Sequence, residues 1–155
     1  MMINTPERSR QLFDSGLFCA ESVLQAIAEH FHIKSELIPR IATGFCSGLA
    51  RTKGTCGAVS GAILAINLLT GRDTSDQSVE RNYVHIKNFL MKFRDKYKTI
   101  CCPELIPCDI STTEGLERFN ALNLIETCKQ IVEDTTAMVL EEIADPGERE
   151  SNSHQ

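Results

Sequence analysis

Between Cys56 and Leu69 the chain reads CGAVSGAILAINLL, with no charged side chain and apolar residues on nearly every face of a helix. Such a helix cannot rest on a surface. It predicts a central, buried element around which the remainder of the chain packs. Thr55 stands where an N-cap belongs and Gly71 where a helix stops. The segment is too short to cross a bilayer, because its longest apolar run, 62–69, is broken by Asn67 and falls well below the roughly 18 residues that a span needs.

The flanking segments carry apolar residues at the helical period. Thr5-Pro6-Glu7 reads as N-cap, first-turn proline and first-turn acid of a short helix stopping at Gly16. Val23, Leu24, Ile27 and Phe31 form one stripe of a helix over 19–31, and Ser35 opens a short element through Ile41 that tolerates Pro39 in its first turns. Ser75 or Asp76 begins a longer helix to about Lys98, with Val79, Tyr83, Ile86, Leu90, Phe93 and Tyr97 as its apolar stripe and His85 on its charged face. Ser111 to Glu114 matches a capping box for a short helix through Leu116, Phe119 and Leu122. A final helix over 123–144 aligns Ile125, Cys128, Val132, Thr135, Val139 and Glu142. The stretches 44–54 (GFCSGLARTKG) and 101–111 (CCPELIPCDIS) read as ordered loops, the second held out of a helix by its prolines.

No stretch alternates with period two for long enough to make a strand. The expectation is therefore an all-α, single-domain helical bundle over 1–145, with 146–155 as a disordered polar tail. A chain of 155 residues can bury its own core without covalent staples. Sixteen basic against twenty-one acidic residues, with no basic patch, argue against a nucleic-acid or anionic-membrane surface. The N-terminus, MMINTPERSRQLF, lacks the apolar core of a secretory signal, which points to the cytoplasm. There seven cysteines imply metal, redox or core roles rather than a disulfide framework.

Those cysteines are Cys19, Cys46, Cys56, Cys101, Cys102, Cys108 and Cys128, and no two share a CxxC or zinc-finger spacing. Any joint site must be assembled by the fold. Cys56 opens the central helix, where unpaired backbone N–H groups and the helix dipole favour thiolate over thiol. Gly57, Ala58, Ser60 and Gly61 clear side-chain bulk from that end, which suits either a cofactor lying against Gly57 and Gly61 or a second helix crossing closely. Cys19 also starts a helix, and Cys128 faces inward from the middle of one; each alone fits a buried small hydrophobe as well as a ligand. The vicinal pair Cys101-Cys102 suggests ligation or redox chemistry, with one of the two pointing inward. Cys46 and Cys108 read as accessory, and His30, His32 and His85 as solvated or capping residues.

Together these residues resemble a family of redox-active proteins designated C_GCAxxG_C_C. Its core motif stands here as Cys56-Gly57-Ala58-Val59-Ser60-Gly61, preceded by Gly16-Leu17-Phe18-Cys19-Ala20 and by Gly44-Phe45 through Gly48 and Arg51. Cys102-Pro103-Glu104-Leu105 matches the third cysteine segment, and Cys128 with Ile131-Val132 the fourth. The resemblance implies a small all-α protein that gathers four cysteines, Cys19, Cys56, Cys102 and Cys128, at a redox or metal site. Cys46, Cys101 and Cys108 are additional to that pattern.

Three functions follow as expectations. In the leading one the four cysteines bind a thiolate-held metal centre, most simply an iron–sulfur cluster, because soft sulfur donors match iron and its bridging sulfides. The protein then transfers electrons or senses redox state with a partner protein, as a monomer or a homo-oligomer. The second is a thiol–disulfide enzyme with Cys56 as nucleophile and a neighbour such as Cys102 as resolving thiol. The third is a structural zinc or interaction module.

Overall fold

The structure, a computed structural model, describes residues 3–144. It is all-α, as expected, with no sheet among the described residues. In chain order the elements are α1 (Thr5–Asp14), α2 (Cys19–His30), a 3-10 segment (Arg40–Phe45), α3 (Cys46–Arg51), α4 (Gly57–Thr70), α5 (Glu80–Tyr97), α6 (Cys102–Leu105), α7 (Thr113–Ala121) and α8 (Ile125–Ala144). The expected tail, 146–155, lies outside the described residues. Among those described, no helix is long and apolar enough to cross a membrane.

The uncharged helix α4 is the centre. Gly57 to Ala62, Ala65, Ile66 and Thr70 are all buried. Its most extensive contact is with α2, whose Ala20, Val23, Leu24 and Ile27 are fully enclosed. The two backbones meet at Gly61, where a Cβ would stand 2.6 Å from the Ala20 carbonyl oxygen and 2.8 Å from Ala20 Cα. Helix α8 packs against α1, α2, α4 and α5, burying Val132, Thr135, Val139 and Glu142 of the expected stripe with Ile131 beside them, while Ile125 at its start is exposed. Each fully enclosed Val, Leu, Ile or Phe in this core stabilises the fold by about 1.5–3 kcal/mol relative to an exposed one.

Local chemistry shifts several boundaries. Asn4 caps α1, its side chain accepting from Glu7 N at 2.9 Å. Cys56 is the N-cap of α4 in place of Thr55, which is drawn into an antiparallel bridge with Cys101. Helix α5 starts at Glu80 rather than near 75, because Gln77 Oε1 accepts from Asp73 N (2.6 Å) and Thr74 N (3.4 Å) and holds that stretch in a turn. Its buried face is Asn82, His85, Phe89 and Phe93, one step round from the expected stripe, and Tyr83 is exposed. His85 is thus not solvated: it is buried, with Nδ1 3.0 Å from Glu142 Oε1. Asn88 Nδ2 donates to the same oxygen at 3.1 Å, and Lys92 Nζ lies 3.4 Å from the other.

Candidate redox site

Two short devices bring distant loops together. The bridge between Thr55 and Cys101 is flanked by Cys56 N donating to Ile100 O (2.7 Å) and Cys102 N donating to Gly54 O (3.0 Å), so Cys56 and Cys102 emerge side by side. Against them lies α3, which is a left-handed turn: Ser47, Gly48, Leu49 and Ala50 have φ of 57°, 66°, 60° and 53°. For residues other than glycine this conformation costs about 1–2 kcal/mol each, a strain that the surrounding structure must offset. Gly48 sits where no Cβ fits, since one would stand 2.7 Å from Cys102 Cβ. The segment expected to be a plain loop is therefore wound tightly onto the third cysteine.

Cys19 from the first turn of α2, Cys56 from the N-cap of α4, Cys102 from the start of α6 and Cys128 from α8 all line one cavity of about 150 Å³. Phe13, Leu105, Phe119 and Ile131 supply apolar wall, and Arg51 reaches the rim from the left-handed turn. Gly57 lines the cavity too, and its missing side chain is filled by sulfur: a Cβ there would stand 2.2 Å from Cys19 Sγ. Gly61 does not line the cavity. Its space is taken by the Ala20 backbone, so of the two glycines expected to admit a cofactor, this one serves helix packing.

Of the vicinal pair, Cys102 faces the cavity and Cys101 does not; Cys101 caps α6 and joins the bridge. Cys108 borders a smaller recess with Cys102, Lys53 and Asp109, where Lys53 Nζ pairs with Asp109 Oδ2 at 2.8 Å. Cys46 is 3% exposed and does not line the cavity; its Cα and Cys19 Sγ approach the same point, 3.0 Å and 2.2 Å from where a Gly57 Cβ would stand. No sequence spacing announces that contact, because it depends on the left-handed turn that follows Cys46.

The electrostatics differ from the simple helix-terminus expectation. The N–H groups of Ala58 and Val59 favour the Cys56 thiolate as anticipated, but burial outweighs them and pushes the thiol up to about 12. Burial likewise raises Cys128 to about 12, with the neighbouring Cys102 and Cys108 adding to the rise. Cys102 is raised as well, by burial first and by Cys108 second. At neutral pH Cys56 and Cys128 are therefore thiols, and ionising either would bury a charge beside the other sulfurs. A bound cation reverses that balance, since a coordinated thiol is deprotonated outright.

Cysteine thiols are the donors that soft metals take. Among the described residues no three His, Cys, Asp or Glu side chains converge on a point that could hold a single metal ion. No curated protein and no solved structure matches the chain. The family model described as "Putative redox-active protein (C_GCAxxG_C_C)" matches residues 17–142, the stretch that contains all four cavity cysteines, and the chain belongs to that family.

Proposed function

We propose that the protein is a small electron carrier or redox sensor whose Cys19, Cys56, Cys102 and Cys128 hold a thiolate-bound metal centre, iron–sulfur in type. The observation that carries this reading is the common cavity of about 150 Å³ on which these four side chains open, from four separate elements. When bound, an iron–sulfur centre supplies one-electron chemistry at a potential set by burial and by hydrogen bonds to its sulfurs. The chain's own contribution is to hold the thiols at a dry, apolar site. Phe13, Leu105, Phe119 and Ile131 keep water off, and the N–H groups of Ala58 and Val59 favour a negatively charged Cys56 sulfur. Gly57 lets Cys19 close in from α2.

The high proton affinity of the free thiols supports this reading over catalysis by a free Cys56 thiolate, because a nucleophile held near 12 is scarcely ionised at neutral pH. The reading includes a redox partner protein and a cytoplasmic setting, where thiols stay reduced. Anaerobic purification followed by iron, sulfide, zinc and visible-absorption measurements tests it. Iron and sulfide in matching amounts, with a coloured protein, are the expected result; a colourless, metal-free and fully folded protein overturns it.

A further inference from the structure

The metal reading leaves Cys46 without a role, yet Cys46 is one of the most deeply buried thiols in the chain. Two contacts fix its place. Its Cα and Cys19 Sγ lie 3.0 Å and 2.2 Å from the same point, the position of an absent Gly57 Cβ, so the glycine is what allows both to share that space. Its thiol also lies 3.7 Å from Ala42 O.

We propose that Cys19 and Cys46 form a two-electron dithiol–disulfide site whose oxidising substrate is a low-molecular-weight organic disulfide. The Cys19 sulfur and the Cys46 backbone meet at the Gly57 position, the close approach that a disulfide needs. Their exposures set the order of events. Cys19 is partly exposed and opens on the cavity, beside the exposed ring of Phe18, whereas Cys46 is enclosed. An incoming disulfide RSSR therefore meets Cys19 first. The Cys19 thiolate attacks one sulfur, the RS–SR bond breaks, and one RS⁻ leaves, to be protonated to RSH.

Cys46 then completes the exchange. In the mixed disulfide the Cys19 sulfur stands at the Gly57 gap that it shares with the Cys46 backbone, next to the Cys46 thiol. The Cys46 thiolate attacks Cys19 Sγ, the second RS⁻ departs, and its proton comes from the Cys46 thiol. In sum, two protein thiols and one RSSR give one protein disulfide and two RSH, two electrons passing from protein to substrate. The site needs only thiols and so stands or falls apart from the metal reading. The two meet at Cys19, because a disulfide there withdraws one of the four proposed ligands.

The test uses the full chain, both as purified and after metal removal, equilibrated with glutathione buffers of rising oxidised fraction. Free thiols are trapped by alkylation and crosslinks are mapped by peptide mass spectrometry. The expected result is a Cys19–Cys46 crosslink whose yield rises with the oxidised fraction, and, in Cys46→Ser, glutathione accumulating on Cys19 instead. Free Cys19 and Cys46 thiols in fully oxidised glutathione, or a crosslink from Cys19 to another cysteine, overturn the proposal. Circular dichroism establishes whether Cys46→Ser folds; if it does not, the wild-type crosslink map alone decides. Iron and sulfide content, read on separate samples, distinguishes failure here from failure of the metal reading.

Discussion

Replacing Gly61 with alanine adds a single methyl group at the closest approach of α2 and α4. In an isolated helix interior the change stabilises by about 1 kcal/mol, because glycine is the more flexible residue when unfolded. Here the new Cβ would stand 2.6, 2.8 and 3.1 Å from the oxygen, Cα and carbonyl carbon of Ala20. All three are backbone atoms, so no rotamer change relieves the contact and the helices must separate. Their interface is fully enclosed, with Val23, Leu24, Ile27, Val59 and Ala62 at zero exposure, and overpacking of this kind costs about 1–3 kcal/mol or more. The upper end of that range outweighs the propensity gain, leaving Gly61→Ala destabilised by about 2 kcal/mol and melting about 4–8 °C lower. Urea unfolding followed by circular dichroism measures the loss. Because α2 begins at Cys19 and α4 is capped by Cys56, the separation also changes the alkylation rate of Cys19. A variant as stable as the parent, with unaltered Cys19 reactivity, would refute the claim that this glycine sets the helix crossing.

Three further outcomes are expected. In metal-free protein, Cys56 and Cys128 are raised from an ordinary value of 9.0 to about 12, so folding favours the thiol form; their contribution is complete below about pH 9 and is lost as pH climbs towards 12, which a falling urea midpoint between pH 8 and 10.5 would register and a flat one would contradict. His85→Leu removes the Nδ1 contact from the buried Glu142 carboxylate, leaving it Asn88 and Lys92 among the described residues, and destabilises by about 2–4 kcal/mol in the same urea assay. Gly48→Ala combines a φ of 66° with a Cβ placed 2.7 Å from Cys102 Cβ, and lowers stability by about 2–4 kcal/mol while altering Cys102 alkylation.

Much of the fold is legible because burial leaves a periodic trace. The uncharged run of α4 marks the centre, and the stripe Val132, Thr135, Val139 and Glu142 on α8 is buried as spaced. In α5 hydrophobicity misleads, because Tyr83 is exposed while Asn82 and His85 turn inward. The steps of three and four residues linking Asn82, His85, Phe89 and Phe93 are the signal that would have found that face. The left-handed turn is illegible, since Ser47, Leu49 and Ala50 are not residues that favour positive φ, and with it goes the approach of Cys46 to Cys19. The position of Cys56 at a helix start could be read from sequence, but the burial that governs its proton could not. That burial depends on α4 and α8 closing over one cavity from far apart in the chain.

The central claim is that Cys19, Cys56, Cys102 and Cys128 act as one site, and the most direct test is iron and sulfide content across the seven single cysteine-to-serine variants, purified anaerobically beside the parent. The account predicts a marked loss in Cys19→Ser, Cys56→Ser, Cys102→Ser and Cys128→Ser, with parental content kept in Cys46→Ser, Cys101→Ser and Cys108→Ser. Parental content in any of the first four folded variants, or a loss confined to Cys101→Ser or Cys108→Ser, would contradict it.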